Sequence, residues 1–578
     1  MTLTAAAPAA LRPRHPSIVH ALLDHLTDDS PAPNESQTAR VVFVAAPGES
    51  EVMDYAALAR AARRSAAALA DYDVRPGDRV MVCLPTGTEF ITAFFGAQLL
   101  GAIPVAVAPP SGFGGRGLFA DKFARLVAYL APAALVAAPD VLDALGAHRP
   151  TGTIVVNGAD LHARAVTAGA PEAEPRLPDS SDPAFIQCTS GSTGIPKGVV
   201  ITHANLAANC EQITRVCGLG PGDNWAGWLP LNHDMGLIGG TLTPLFAGAG
   251  AVLMPPNRFL RAPAEWLRNV SDYGGTVAAA PNFGYGYAAL RVRDEDLDGV
   301  DLSRWRFLFC GAEPIQADTL RLFTDRFAAW GLPRDAVVPC YGMAEASLAI
   351  TVNRPRATLR VDTVSRDRLA TEARVVDVPA DAPDAVRVVD CGPAVPGTEI
   401  RVVDERGRPC ADNVLGAVQF RGPSRTPGYF QLPDATAACV VDGSWWDTGD
   451  LGYLRDGGLR ITGRRKDLII IRGANYFPSD FEQAAQTVPG VRLGGVAAVG
   501  YRTADAHSEG LHLIVETEVD AAEQDALRLA IRSAVSSRTG VLADAVHLVP
   551  PRALPKTTSG KIQRAAARAR FVATEETP

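Results

Sequence analysis

The feature that most limits how this chain can fold is an alternation of short apolar runs with longer stretches of helical spacing. RVMVCLP begins at Arg79, PVAVAPP at Pro104, AALVAAP at Ala133, TIVVN at Thr153 and AFIQCTS at Ala184, and further runs begin at Ala251, Thr276, Phe307 and Val337. Continuous apolar runs of this length suit strands covered on both faces, and the helices between them supply the crossovers that parallel neighbours need. The pattern predicts an α/β fold with a large N-terminal region of parallel βαβ subdomains. After about residue 390 the texture changes to closely spaced alternating strands, TEIRVVD, GAVQFRG and GLRITGR, which predict a small β-barrel-like subdomain. From Asp467 onward a compact α+β unit is expected, built from DLIIIRG, a helix over 478–488, the strands GGVAAVGYR and LHLIVETE, and a helix over 520–538. The stretch VPADAPDA at 378–385 reads as an exposed loop, and no internal repeat is found.

Bulk properties remove several function classes. At 578 residues the chain exceeds one ordinary hydrophobic core. A net charge of −8 gathers neither nucleic acid nor an anionic membrane around the molecule. No run approaches the roughly 18 apolar residues needed to span a bilayer, so stable membrane insertion is not expected. The N-terminal MTLTAAAPAALRPRHP lacks an apolar core of signal-peptide length, which predicts a cytoplasmic protein. Nine cysteines stand singly with no CxxC pair, predicting free thiols rather than structural zinc or a disulfide framework.

Of 55 basic residues only Lys122, Lys197, Lys466, Lys556 and Lys561 are lysines. Generic surface charge is written as arginine, so each lysine invites a question about its task. Lys197 ends Thr189-Ser190-Gly191-Ser192-Thr193-Gly194-Ile195-Pro196-Lys197-Gly198, a segment following an expected strand. Its glycines and hydroxyls make a loop whose N–H and Oγ groups can wrap phosphate oxygens, with Lys197 as a mobile cation. It is not a Walker loop, because GxxxxGK[ST] is absent. A solvated Ser/Gly linker is the bland alternative, disfavoured by a position expected to lie between a buried strand and a helix.

This segment resembles the phosphate loop of the acyl-adenylate-forming superfamily, which includes acyl-CoA synthetases, nonribosomal adenylation domains and luciferases. WLPLNHDMGLIGG from Trp228, CGAEPI from Cys310, YGMAEASLAI from Tyr341, DTGDLGYL from Asp447, GRRKDLIIIRGANYFPSDFE from Gly463 and PKTTSGKIQR from Pro555 follow in the superfamily's order. Glu345 offers a hard oxygen ligand, and the resemblance implies Mg²⁺ shared with ATP; a buried ion-paired glutamate is the alternative. Asp450, which as a residue alone reads as a turn residue, is implied to hold the ribose, with Arg464 near ribose and phosphate. Gly311, Ala312 and Glu313 are implied to wall the adenine pocket, with Tyr341, Gly342 and Met343 also at the nucleotide. His233, otherwise readable as a core histidine, is implied to lie near the reacting carboxylate. Lys561 is implied to bridge the acid and the α-phosphate. Lys466 is implied to be the hinge between an N-terminal domain, 1–465, and a mobile C-terminal domain, 466–578; a solvated surface lysine is the alternative.

Within the superfamily the sequence is similar to fatty acyl-AMP ligases. The resemblance lies in the run from Pro256 to Tyr287, in YGMAEASL without a threonine before its glutamate, and in DLIIIRGANYFPSDFE. Tyr341 and Gly428 are 87 positions apart, an interval that includes an expected insertion near 352–392. The resemblance implies poor use of free CoA and acyl transfer to an acyl carrier protein acting in trans, since only fourteen residues follow Arg564. Asn282, Phe283, Gly284 and Tyr285 sit in a run of small and aromatic residues that predicts an apolar acyl pocket, with core packing as the alternative. TVAAAPNF has no acidic residue to face an α-amino group, which favours a fatty acid over an amino acid. Two other readings stand beside this one: a fatty acyl-CoA synthetase, and an inactive homologue acting as a scaffold.

Overall fold

The computed structural model describes residues 11–26, 39–110, 116–146, 150–189, 197–354, 357–471, 474–501, 509–556 and 561–572. The described residues form the expected α/β architecture. One sheet runs, from edge to edge, through Ala349–Val352, Val337–Gly342, Phe307–Cys310, Val277–Ala280, Asn224–Gly227, Gly250–Leu253, Arg40–Ala46 and Glu49–Asp54. Its inner pairs are parallel, and both edge pairs are antiparallel. A second sheet runs through Gly428–Tyr429, Lys197–Thr202, Pro183–Thr189, Ile103–Ala106, Arg79–Cys83, Ala134–Ala137 and Ile154–Asn157. The valines and alanines of its inner parallel strands, Ile103–Ala106, Arg79–Cys83 and Ala134–Ala137, are almost wholly buried, as continuous apolar runs require.

The helix Thr88–Leu100 is buried nearly all round because its sequence, TEFITAFFGAQLL, has almost no charge to solvate. Beyond residue 390, Glu399–Val403, Gly416–Arg421, Trp445–Arg455 and Gly458–Arg464 pair antiparallel into the expected small curled sheet. No described helix is long and apolar enough to cross a membrane.

The C-terminal unit has hydrophobic clusters of its own, drawn entirely from residues between Ile469 and Val572. Val491–Tyr501, Gly510–Thr517 and Ala545–Val549 form its sheet, packed by Pro478–Gln486, Gln524–Thr539 and Arg564–Phe571. Arg564 ties it together by donating to both oxygens of Glu482 at 2.8 Å and to Asp467 at 3.3 Å.

The expected insertion contains a strand pair, Val361–Ser365 with Ala385–Val389, and a short helix, Arg366–Glu372. Arg460, 2% exposed, donates to Asp362 at 3.0 Å, and the Tyr453 hydroxyl reaches the same carboxylate at 2.9 Å, pinning the pair to the curled sheet. From this insertion Arg366 reaches into the C-terminal unit, donating to the Arg538 carbonyl at 2.7 Å and lying 3.8 Å from Asp480.

Candidate active site

The phosphate-type loop is set differently from the expectation. Pro183–Thr189 is followed by a second strand, Lys197–Thr202, antiparallel to it, and the helix begins only at His203. The segment between them therefore joins two antiparallel strands, at whose facing ends Thr189 donates its hydroxyl to the Lys197 carbonyl at 3.3 Å. Ser190, Gly191, Ser192, Thr193 and Gly194 lie outside the described residues.

Tyr429 pairs in register with Val199, on the strand that starts at Lys197. The Lys197 ammonium stands 4.5 Å from the Tyr429 ring centroid, and the Tyr429 hydroxyl donates to Glu345 Oε1 at 2.7 Å. Burial raises the pKa of Glu345, which is 8% exposed, and the Tyr429 hydroxyl opposes that rise. Sequence reading missed Tyr429, because what ties it to Lys197 is strand pairing across 230 residues and what ties it to Glu345 is a hydroxyl bond across 84.

A second cluster follows from cross-strand register. Asp450 and Arg464 are directly paired on neighbouring antiparallel strands, which places Arg464 Nε 3.4 Å from Asp450. The Tyr341 hydroxyl donates to Asp450 at 2.6 Å. Burial raises the pKa of Asp450, opposed by Arg464, Tyr341 and Lys561. Gly342 and Met343 follow Tyr341 at the end of Val337–Gly342. Beside them Gly311 leaves Phe307–Cys310, and Ala312 takes a left-handed φ of 69°, unusual for a residue with a side chain and the kind of strain that collects at binding sites.

His233 and Asp234 lie at the start of a π-helical segment, Met235–Leu242. Such segments are rare and concentrate at functional sites. His233 Nδ1 is 2.8 Å from Asp234, which also accepts from the Met235 N–H at 2.7 Å. A Cβ on Gly236 would press into the Pro230 carbonyl, so only glycine permits this turn.

Lys561 of the C-terminal unit is brought to this place. Burial lowers its pKa, and the charges it feels are those of Asp234, Arg464, Glu313 and Asp450. Burial pushes Asp234 up, but His233 and Lys561 outweigh it and hold the carboxyl below its usual range. Asp234 is a second residue that sequence reading did not assign; its only local signal was adjacency to His233. Lys466 lies in a single turn, Arg465–Asp467, between the curled sheet and the C-terminal unit.

The acyl-pocket expectation needs correction on its small and aromatic residues. The helix Asn282–Arg291 does carry Asn282, Phe283, Gly284 and Tyr285. Tyr285, however, is 0% exposed, donates to the Phe309 carbonyl at 2.7 Å and packs on Phe323 and Trp266. The space beside Gly284 is filled by Trp228, which would stand 2.7 Å from an added Cβ. Asn282 is buried and accepts from the Gln316 N–H at 2.9 Å. Among the four, Phe283 alone keeps a partly exposed side chain, so core packing accounts for the rest.

Against known proteins, the AMP-binding enzyme family matches residues 32–430. A putative acyl-CoA synthetase of Caulobacter vibrioides is 36% identical over 532 residues, 90% of this chain and 91% of the relative. The medium-chain-fatty-acid–[acyl-carrier-protein] ligase JamA of Moorena producens is 33% identical over 547 residues, 91% of each chain. A chain solved in a study of fatty acyl-adenylate ligases from E. coli and L. pneumophila superposes with a TM-score of 0.89 at 35% identity, covering 98% of this chain and 99% of that one. This protein therefore belongs to the AMP-binding enzyme family of adenylate-forming ligases.

Proposed function

We propose that this enzyme uses ATP and Mg²⁺ to convert a medium- to long-chain fatty acid into acyl-AMP, and then passes the acyl group to the phosphopantetheine thiol of a carrier protein acting in trans. The observation that carries the reading is the placement of a partly buried Lys561 within the charges of Asp234, Glu313, Asp450 and Arg464, on a chain that superposes over almost its full length with a fatty acyl-adenylate ligase.

The chemistry follows from charge. A fatty carboxylate with a pKa of about 4.3 is already ionised at neutral pH, so the first step needs no general base. One carboxylate oxygen attacks the α-phosphorus, and the bond to the leaving oxygen of pyrophosphate breaks, taking its electron pair. Two anions must meet, so the protein's work is orientation and neutralisation. Lys561 faces the carboxylate and α-phosphate, and Lys197 the outer phosphates. Asp450 and Tyr341 hold the ribose, with Arg464 at the ribose–phosphate junction. Gly311, Ala312 and Glu313 wall the adenine, and His233 borders the acid.

Glu345 fits a Mg²⁺ ion: it is a buried hard oxygen donor, and no group of three potential metal ligands occurs among the described residues. One carboxylate supplemented by phosphate oxygens and water is how Mg²⁺ is commonly held at nucleotide sites, where it neutralises phosphate charge. In the second step the thiol sulfur attacks the acyl carbon, AMP leaves with the electron pair, and the thiol proton passes to solvent. We assign the reorientation between the steps to the C-terminal unit, 466–578, turning about Lys466.

The name of the Caulobacter relative favours a second reading, with free CoA as acceptor. Incubation with ATP, Mg²⁺, dodecanoic acid and CoA, read by mass spectrometry, separates the two. Dodecanoyl-AMP with almost no dodecanoyl-CoA is expected, and abundant dodecanoyl-CoA would establish the synthetase reading.

A further inference from the structure

We propose that Glu313 is a positioning residue that joins the start of the helix Asn282–Arg291, where Phe283 keeps a partly exposed side chain, to the segment that carries Lys561. Its carboxylate caps the helix beginning at Asn282 and supplies the negative charge against which Lys561 and Lys556 dock. This rests on the adenylation reading of Lys561 above.

The geometry has two sides. Glu313 Oε1 accepts from the Phe283 N–H at 2.6 Å, while Asn282 Oδ1 accepts from the Gln316 N–H at 2.9 Å. The two bonds form a reciprocal clasp between the helix Asn282–Arg291 and the segment after Gly311. That helix follows Pro281 and has no side-chain cap of its own, so an orphan N–H of its first turn is satisfied from thirty residues away.

On the other side, the charges reaching Glu313 are those of Lys561 and Lys556. Lys556 pairs with Ile562 and donates to the Gly494 carbonyl at 2.8 Å, anchoring the segment that carries Lys561. Lys561 also faces Asp234, Arg464 and Asp450, and Lys556 faces Glu516 and Arg492. Glu313 is the group that both lysines share. Its direction is fixed by the left-handed Ala312 immediately before it.

One carboxylate thus does two separable things. Glutamine keeps the acceptor oxygen for the Phe283 N–H and loses the charge, whereas alanine loses both. Burial, against the pull of the two lysines, leaves the Glu313 pKa raised to about 7. Below that pH the carboxyl is neutral and attracts the lysines less, so the rate of adenylation rises as pH climbs through about 7.

The test uses the full-length protein and acid-dependent exchange of pyrophosphate into ATP with dodecanoate, between about pH 5.5 and 8.5, alongside thermal unfolding. Glu313→Gln is expected to lose about tenfold in kcat at the alkaline end, keep its KM for dodecanoate within about twofold, melt as the wild type does and show no inflection near neutrality. Glu313→Ala is expected to add a several-fold rise in KM. A Glu313→Gln profile superimposed on the wild type, or one whose KM rises as far as that of Glu313→Ala, would overturn the inference. Absence of exchange in the wild type would overturn the adenylation reading itself, and this inference with it.

Discussion

The Tyr429 hydroxyl donates to Glu345 at 2.7 Å while its ring faces the Lys197 ammonium at 4.5 Å, so one side chain sets the spacing of a carboxylate and a cation. Tyr429→Phe keeps the ring and removes the donor. Losing a hydrogen bond to a buried carboxylate costs on the order of 2 kcal/mol, so the apparent KM for ATP should rise about thirtyfold with little change in that for the acid. Steady-state titration of each substrate checks this; an unchanged ATP response would dissociate Tyr429 from the nucleotide site.

On the proposed reading, Lys561→Ala removes the cation that faces the carboxylate and the α-phosphate. Pyrophosphate exchange should fall by about 10²- to 10³-fold. Acyl transfer from chemically prepared dodecanoyl-AMP to a carrier protein should change by less than about threefold, because the α-phosphate bond is already made. Equal losses in both assays would place Lys561 outside the first step.

The runs that predicted strands did become strands, because burial on both faces is written locally in each run: Arg79–Cys83, Ala134–Ala137 and Pro183–Thr189 are examples. The motifs likewise named Tyr341, Asp450 and Arg464, which the fold brings together. What stayed hidden depended on pairing at a distance. The approach of Tyr429 to Glu345 comes from a two-residue strand joining a sheet edge, and no periodicity signals such an event. The loop before Lys197 was placed between strand and helix although KGVVIT, with four β-branched residues in six, favours a strand; a run this short, leading directly into the helix at His203, is not separated from it by periodicity. Tyr285 and Gly284 were read as pocket because small and aromatic residues serve a cavity and a packed core equally well, and Trp228 decides the matter.

Gly236→Ala should disable the site without touching a charged group. The new Cβ meets backbone, the Pro230 carbonyl, which cannot rotate away. The π-helical turn carrying His233 and Asp234 must shift, at a cost of roughly 1–3 kcal/mol in stability and with a fall in exchange activity. Denaturant unfolding read beside activity checks both; wild-type values in each would show that the turn tolerates the methyl group.

Asp480 gives a pH prediction with a definite sign. Burial lifts its pKa to about 6, with Arg366 pulling the other way. The unfolded chain releases this proton near pH 4, so the native state binds more protons than the unfolded state between about pH 4 and 6, and stability contributed here is lost as pH rises through that window. Asp480→Asn has no such proton to lose. Its stability relative to the wild type should climb by on the order of 3 kcal/mol across the window, as measured by urea midpoints at each pH. A pH-independent difference would show that Asp480 titrates normally.

All seven tryptophans lie between Trp225 and Trp446, whereas the C-terminal unit packs on clusters of its own and carries Lys561. The C-terminal unit, which carries Lys561, consequently has no intrinsic tryptophan of its own to report on it. Melting or clipping of that unit would reach the tryptophan spectrum only through its contacts with the rest of the chain, such as those of Arg366 with Arg538 and Asp480. The soundness of the unit has to be judged by turnover or by a probe placed after Asp467.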